Sequence, residues 1–358
     1  MKKSLIALAV LAASGAAMAQ STVTLYGVVD AYVSSTKTTS VAGTNPPGFT
    51  TSKLTQNGVN SGGQNGSRWG IRVKEDLGGG LAAVATIEAG LNADTGTNAQ
   101  GGLPYGRQVF GGLSGGFGTL TLGRQYSAYD DIHGTTSVQG NNAFDVSLGN
   151  FFNLRAADFG VAGPTAATVN AATAGVGAWV SYDNARVNNS IKYQSNSYGG
   201  FSGALVYGFG ENKTAATAAT HDTSFNLKYA NGPITGAVAY QENQFSPTFK
   251  LKNTLVGGAY DFGAAKLFAN YNRAKFTNVA KQNEYSLGVA VPVGALTLVG
   301  QYAQSNGDDI GKSKGFGLEA WYDLSKRTRA YTSYANTKKE ALNNERNTVF
   351  AVGLRHSF

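Results

Sequence analysis

The stretch Phe350-Ala351-Val352-Gly353-Leu354-Arg355-His356-Ser357-Phe358 decides the fold. Phe350, Val352 and Leu354 are apolar, whereas Ala351, Gly353, Arg355 and Ser357 are small or polar. In a strand, successive side chains point to opposite faces. One face here suits hydrocarbon and the other suits water, the pattern of a strand that crosses a membrane. His356 interrupts the apolar face near the strand end, where an interface can solvate it.

The same alternation recurs upstream. In 264–276, Ala265, Leu267, Ala269 and Tyr271 suit lipid while Lys266, Asn270 and Asn272 suit a lumen. In 81–92, Leu81, Ala83, Ala85, Ile87 and Ala89 take the outer face and Glu88 points inward. A misplaced Arg or Lys at the bilayer midplane costs about 2–4 kcal/mol, so this sorting is physically enforced. Segments of this kind follow one another from residue 22 to the end, with a Thr/Asn/Gly loop expected up to about residue 66. Short turns alternate with long polar loops; the turns include Gly78-Gly79-Gly80, Gly115-Gly116, Asn231-Gly232-Pro233 and Asp261-Phe262-Gly263. About sixteen strands result, each long enough to cross a bilayer at a tilt. The expected fold is all-β, a 16-stranded antiparallel transmembrane β-barrel with short periplasmic turns and long extracellular loops. A barrel of that width is too large for side chains to fill and holds water.

Lys2 and Lys3, the apolar run Leu5 to Ala13 and Ala17-Met18-Ala19 read as a signal peptide over residues 1–19, which leaves residues 20–358 as one domain. The mean hydropathy of −0.18 would ordinarily suggest a soluble protein, but alternating strands hide their hydrophobicity. There is no cysteine, so an exported chain must draw its stability from a closed hydrogen-bond network instead of disulfides. Without Lys2 and Lys3, 27 basic residues face 21 acidic ones, a charge of +6. Nucleic acid is not the expected partner, since no helix-turn-helix, aromatic RNA-binding signature or zinc spacing accompanies that charge. Spread one or two per segment, the charges suit a channel lining and hint at anion preference.

Several runs in order carry a resemblance. Ser67-Arg68-Trp69-Gly70-Ile71 with Glu75-Asp76-Leu77-Gly78, Gly106-Arg107-Gln108 with Leu113-Ser114-Gly115-Gly116-Phe117-Gly118, and Leu122-Gly123-Arg124-Gln125 resemble general diffusion porins of Gram-negative bacteria. So do Arg186-Val187-Asn188-Asn189-Ser190-Ile191-Lys192-Tyr193, Leu324-Ser325-Lys326-Arg327-Thr328 and the terminal Gly353 to Phe358. The beta-proteobacterial branch is the most similar, over the whole mature chain. The resemblance implies an outer-membrane homotrimer in contact with lipid and lipopolysaccharide. It would pass small hydrophilic solutes and ions without a cofactor. The small residues Gly27, Ala31 and Val352 would permit close packing of neighbouring barrels.

A diffusion pore catalyses nothing, so its chemistry is the electrostatics of its narrowest point. Arg68 lies about ten residues above the turn at Gly78 and Arg107 about nine above Gly116, level within a few Å at about 3.4 Å per residue. Trp69, Ile71 and Val73 are expected on the outer face of one strand, and Gln108, Phe110 and Gly112 on that of the next. Arg72 and Lys74 share the face of Arg68. Farther on, Val187, Asn189 and Ile191 are expected outside, with Arg186, Asn188, Ser190 and Lys192 inside. The resemblance matches Arg68, Arg107 and Arg186 to a basic cluster at the constriction, and Arg124 to another lumenal arginine. Parity puts Leu120 and Leu122 inside with Arg124, so a bulge or a subunit interface must intervene. Residues Ser127 to Asn184 correspond to an inward-folded third loop whose carboxylates face the arginines. Asp130, Asp131, Asp145 and Asp158 are the candidates, and which of them does so stays open. The Pro-Glu-Phe-Gly-Gly segment of enteric relatives is missing, and Val161 to Trp179 forms an unusual Ala/Thr/Gly/Val stretch.

Other classes fit less well. A barrel enzyme needs a nucleophile beside a base, and His133, His221 and His356 pair with none on one strand face. No ligand spacing suggests a metal. A sugar-specific channel would line its lumen with a row of aromatics, whereas Tyr26 and Trp321 are scattered.

Overall fold

The computed structural model describes residues 21–42, 50–140, 142–146, 154–155, 179–180, 185–211, 213–214, 220–245, 250–277, 280–307, 311–339 and 345–358. The strands are β1 (Thr22–Ala42), β2 (Thr50–Ser61), β3 (Arg68–Gly78), β4 (Leu81–Gly90), β5 (Gln108–Gly115) and β6 (Gly118–Tyr126). Two-residue strands β7 (Leu154–Arg155) and β8 (Trp179–Val180) pair with each other. There follow β9 (Arg186–Gln194), β10 (Phe201–Gly208), β11 (His221–Asn231), β12 (Ile234–Gln244), β13 (Lys250–Asp261) and β14 (Lys266–Phe276). The last are β15 (Ala280–Val293), β16 (Leu296–Gly307), β17 (Gly311–Asp323), β18 (Thr328–Lys339) and β19 (Glu345–Ser357).

Every wall neighbour is antiparallel, and the sheet closes where β1 meets β19, from Val28 opposite Ser357 to Thr39 opposite Arg346. Gly27 and Phe358 exchange backbone hydrogen bonds of 3.0 and 3.1 Å at the seam. On its other edge β1 pairs first with β2 and then with β3. Among the described residues seventeen strands make the closed sheet, and because β2 and β3 share one position the wall has sixteen staves. Closure satisfies the backbone groups of the staves, as hydrocarbon demands.

The solvent sorting is inside out relative to a soluble protein. Leu25, Leu287 and Leu318 are 64, 64 and 54 % exposed on the outer face, whereas Glu284, Gln301 and Glu319 are 1, 4 and 4 % exposed inside. Charged residues are almost never fully buried unless paired, so the inner wall has to supply partners. Phe350, Val352 and Leu354 lie on the outer face, in line with the alternation of the terminal segment. We expect Leu318→Arg to destabilise the barrel by about 2–4 kcal/mol, with Leu318→Met near neutral. Urea titration of refolding into lipid vesicles measures both; equal midpoints would refute lipid exposure at this position.

The structure corrects the strand tops. The stretch expected as a loop up to about residue 66 contains the upper half of β1 and all of β2. Above the bilayer both faces of a strand are wet, so apolar alternation stops while backbone pairing continues.

The third loop does enter the barrel. After β6 it forms a single turn at Asp130–Ile132 and a short helix at His133–Thr136, then crosses the inner wall stave by stave. Ala128 accepts from Asn226 Nδ2 of β11 at 2.6 Å, and Tyr129 donates to Asn272 Oδ1 of β14 at 2.6 Å. Asn270 Nδ2 donates to the Thr136 carbonyl at 3.1 Å, and Ser137 Oγ to Gln301 Oε1 of β16 at 3.1 Å. Near the end of this described run, Phe144 stands edge-on to Tyr32 with centroids 5.2 Å apart and 6.1 Å from Tyr331. Tyr129 and Ile132 bury against Ala237, Ala239 and Leu255, so the apolar core sits between loop and wall. Glycines of the wall leave the room: a Cβ at Gly257 would stand 2.8 Å from Thr136 Cβ, and one at Gly288 2.6 Å from Val138 Cγ1.

Candidate functional site

Opposite the loop, β1, β3, β4, β6, β9 and the residue before β5 bring a chain of charged and phenolic groups onto the inner wall. Glu88 of β4 is its centre. Its Oε1 accepts from Arg107 Nε at 2.7 Å; its Oε2 accepts from the Tyr26 hydroxyl at 2.9 Å and lies 3.5 Å from Arg68 Nε. Arg107 Nη2 and Arg186 Nη2 both donate to the Tyr126 hydroxyl oxygen, at 2.5 and 2.8 Å. The Arg186 guanidinium also stacks 4.6 Å from the Tyr126 ring centre, and that of Arg72 4.1 Å from the Tyr26 ring. Stacking of this kind places a cation over the negative face of the ring. Lys192 Nζ bridges the Tyr126 carbonyl at 3.1 Å and Asp131 Oδ2 at 2.6 Å, which ties the cluster to the third loop. Burial pushes the Asp131 carboxyl above its ordinary value, with the Lys192 ammonium pulling the other way.

Strand register explains part of this assembly. Arg68 opposes Val28, Arg72 opposes Thr24 and Lys74 opposes Thr22, all on the inner face, with Trp69 exposed outside. The second hairpin differs from expectation. Ile87 pairs with Val109 and both are exposed, so Glu88 and Gln108 share the inner face; Phe110 and Gly112 follow Gln108 inward. Arg107 still reaches Glu88 because it precedes the first paired residue of β5 and escapes the alternation. On β9, Asn189 adopts φ +45°, and beyond that irregularity Val187 is buried against Ala128, Ala204 and Val206 instead of facing out.

Arg124 stands apart. The β6–β9 register slips between Gly123 and Gln125, with Gly123 at φ +137°, a bulge that only glycine accommodates readily. Leu120 and Leu122 are exposed on the outer face, not inside as expected. Arg124 lies opposite outward Val109, donates from Nε to the Gly106 carbonyl at 2.8 Å and from Nη1 to Asn188 Oδ1. It knits strand tops together, away from Glu88.

The loop carboxylates are also directed elsewhere than expected. Asp131 holds Lys192, and Asp130 Oδ1 lies 3.7 Å from His133 Nδ1. Asp145 accepts from Gln301 Nε2 at 2.8 Å and from Ser137 Oγ at 3.4 Å. Asp158 lies outside the described residues, as do residues 161–178 of the Ala/Thr/Gly/Val stretch. Among the described residues, the carboxylate set against Arg68 and Arg107 is therefore Glu88 of the wall itself.

Two further groups escaped the sequence reading. Glu319 of β17 accepts from Gln139 Nε2 at 2.6 Å, Asn142 Nδ2 at 2.8 Å, Trp321 Nε1 at 2.7 Å and Gln64 Nε2 at 3.4 Å. Asp30 of β1, fully buried, accepts the Gln64 and Asn65 amides at 2.8 Å each and the Tyr331 hydroxyl at 2.6 Å. It thereby folds the 62–67 interruption of the second stave inward. Both acids occupy inward parity in their strands, a signal that could have found them.

The family model for Gram-negative porins matches residues 5–342 of this sequence. The chain is a Gram-negative porin. It is 34 % identical to outer membrane porin protein 32 of Delftia acidovorans and 31 % identical to an outer membrane porin protein of Bordetella pertussis, each over the full length of both chains. Among solved structures, an anion-selective porin from Comamonas acidovorans superposes with a TM-score of 0.75 at 27 % identity, over 95 % of this chain and all of that one. This porin therefore belongs to the outer membrane, and its work is passage through a channel, not catalysis.

Proposed function

We propose that this porin is a general diffusion pore, open to ions and small hydrophilic solutes, with a preference for anions set at the Glu88 cluster. One observation carries the reading. Along the wall from Tyr26 to Asp131, and among the described residues, Arg68, Arg107, Arg186 and Lys192 face only Glu88 and Asp131, and Arg72 adds a further cation beside them. In a narrow passage between low-dielectric walls such an excess raises the local concentration of anions. The anion selectivity stated for the Comamonas porin supports the same sign. Glu88 tempers the field; the opposing carboxylate is on the same wall as the cations. We further assign residues 1–19 to a removed signal and the working form to a homotrimer.

Planar-bilayer reversal potentials under a KCl gradient test this. Wild type should favour chloride, and Glu88→Gln, which removes the charge and keeps one acceptor oxygen for Arg107 while its amide nitrogen can only donate toward Tyr26, should raise the chloride-to-potassium ratio about threefold. A cation-preferring wild type would overturn the reading, as would current blocked by micromolar sugar.

A further inference from the structure

The periplasmic end of the inner wall holds a line of charges outside the Glu88 cluster. On β18, Tyr331 and Ser333 are buried inside, so Arg329, two residues before Tyr331, shares the inner face. On β19, Ala351 is buried inside and Leu354 is exposed outside, which turns Gly353, Arg355 and Ser357 inward. Register then sets Asp323 of β17 opposite Arg329, Arg329 opposite Arg355, and Arg355 opposite Asp30 of β1. One inner-face step nearer the periplasm, Ser357 stands opposite Val28, and Val28 opposite Arg68.

The two guanidinium groups in the middle of this row differ in their partners. Arg329 forks onto Asp323, with Nε donating to Oδ1 at 2.6 Å and Nη2 to Oδ2 at 3.0 Å, and it lies 4.8 Å from the Trp321 ring centre. That leaves its Nη1. Arg355 has no hydrogen bond or ion pair among the described residues, and its Nε is buried without a partner. Asp30 offers it no close contact. The Asp30 carboxylate accepts the Gln64 and Asn65 amides on Oδ2 at 2.8 Å each and the Tyr331 hydroxyl on Oδ1 at 2.6 Å. Asp30 thus balances the charge of Arg355 through space but leaves its five donors unmet. Like charges directly opposite on adjacent strands are destabilising, and a buried donor without an acceptor is costly. Both penalties fall on Arg355, and one bound anion would relieve both.

We propose that Arg355 and Arg329 form a lumenal station for an oxyanion of the phosphate class, on the periplasmic side of Arg68. Arg355 contributes its planar fork, Arg329 its remaining Nη1 from the residue directly opposite, and Ser357 a hydroxyl one step below. A tetrahedral oxyanion carries enough acceptors to meet these donors together, whereas a chloride ion has no separate oxygens to match a fork. A station in a channel holds its ion weakly enough to release it, which sets millimolar affinity. The station rests on the anion preference proposed above and adds to that lumen a second stop with its own chemistry.

Chloride current through planar bilayers in dilute KCl, titrated with potassium phosphate at neutral pH, tests it. Wild type should lose about half of its chloride current, saturably, at millimolar phosphate. Arg355→Gln should need about tenfold more phosphate for the same loss. Arg355→Lys, which keeps the charge facing Asp30 but not the fork, should titrate like Arg355→Gln. Lys326→Gln removes a charge from the exposed turn at the same mouth and should titrate as wild type. Should the Arg355 variants fail to fold, Arg329→Gln should still need several-fold more phosphate. A wild-type midpoint in Arg355→Gln or Arg355→Lys would overturn the proposal, as would a wild-type current that phosphate leaves unchanged. Reversal potentials in KCl alone read the anion preference separately. A chloride-preferring pore indifferent to phosphate would therefore sink the station and leave that preference standing.

Discussion

Replacing Arg107 by Ser should move the chloride-to-potassium permeability ratio about fivefold toward potassium. Arg107 holds Glu88 at 2.7 Å and the Tyr126 hydroxyl at 2.5 Å, so its charge is fixed in place instead of sweeping the lumen. A unit charge about 8 Å from a passing ion, at an effective dielectric constant of about 40, is worth about 1 kcal/mol. Screening at 0.1 M salt roughly halves this. The loss acts with opposite sign on the two ions, which restores about 1 kcal/mol in the ratio, or about fivefold. Removal leaves Glu88 with Arg68 at 3.5 Å as its ion-pair partner. Reversal potentials at 0.1 and 1 M KCl measure both the shift and its screening. An unchanged ratio at low salt would remove Arg107 from the selectivity site.

The second large effect is expected at Glu319. Its carboxylate gathers Gln139 and Asn142 of the third loop, Gln64 of the 62–67 interruption and Trp321 of its own strand, while only 4 % of it is exposed. Hydrogen bonds to a charged acceptor contribute about 1.5–3 kcal/mol each, so the two from the loop hold its end by roughly 3–6 kcal/mol. At that strength the loop end is detached well under 1 % of the time. Glu319→Ala removes both bonds at once, leaving the Ala143 amide on the Gly63 carbonyl at 2.8 Å, the contacts of Ser137, Gln139 and Asp145 with Gln301, and the Phe144 ring packing to hold the segment. Single-channel records should change from quiet current to frequent brief conductance steps, with the heat stability of the barrel little altered, since the wall pairing of β17 is untouched. Quiet records from the variant would show that Glu319 is not what holds the loop, and that its remaining hydrogen bonds and apolar underside suffice. Glu319→Gln, which retains an acceptor, should be intermediate.

These two sites differ in how far they could be read in advance. Arg68, Arg72 and Lys74 fall on the inner face because the alternation of β3 puts them there, and the same rule finds Glu88 on β4. Where the backbone departs from regular pairing, the rule fails. Arg107 sits before its strand, Asn189 has a positive φ and the bulge at Gly123 re-aims Arg124. Parity counted through such points gives the wrong face, as it did for Phe110, Val187, Leu120 and Leu122. The strand tops failed for another reason, since β2 carries no apolar period above the membrane.

The barrel, its span and the lipid-facing residues of its regular staves were determined by the sequence alone, because each stave's two faces meet different solvents and alternation records that locally, residue by residue. Which groups meet inside was decided only by the tertiary structure. Tyr126 joins Arg107 to Arg186 across 60 positions from the latter, Glu319 reaches Gln139 across 180, and Gln64 reaches the same carboxylate across 255. No local pattern encodes such meetings; closing the sheet around an infolded loop creates them.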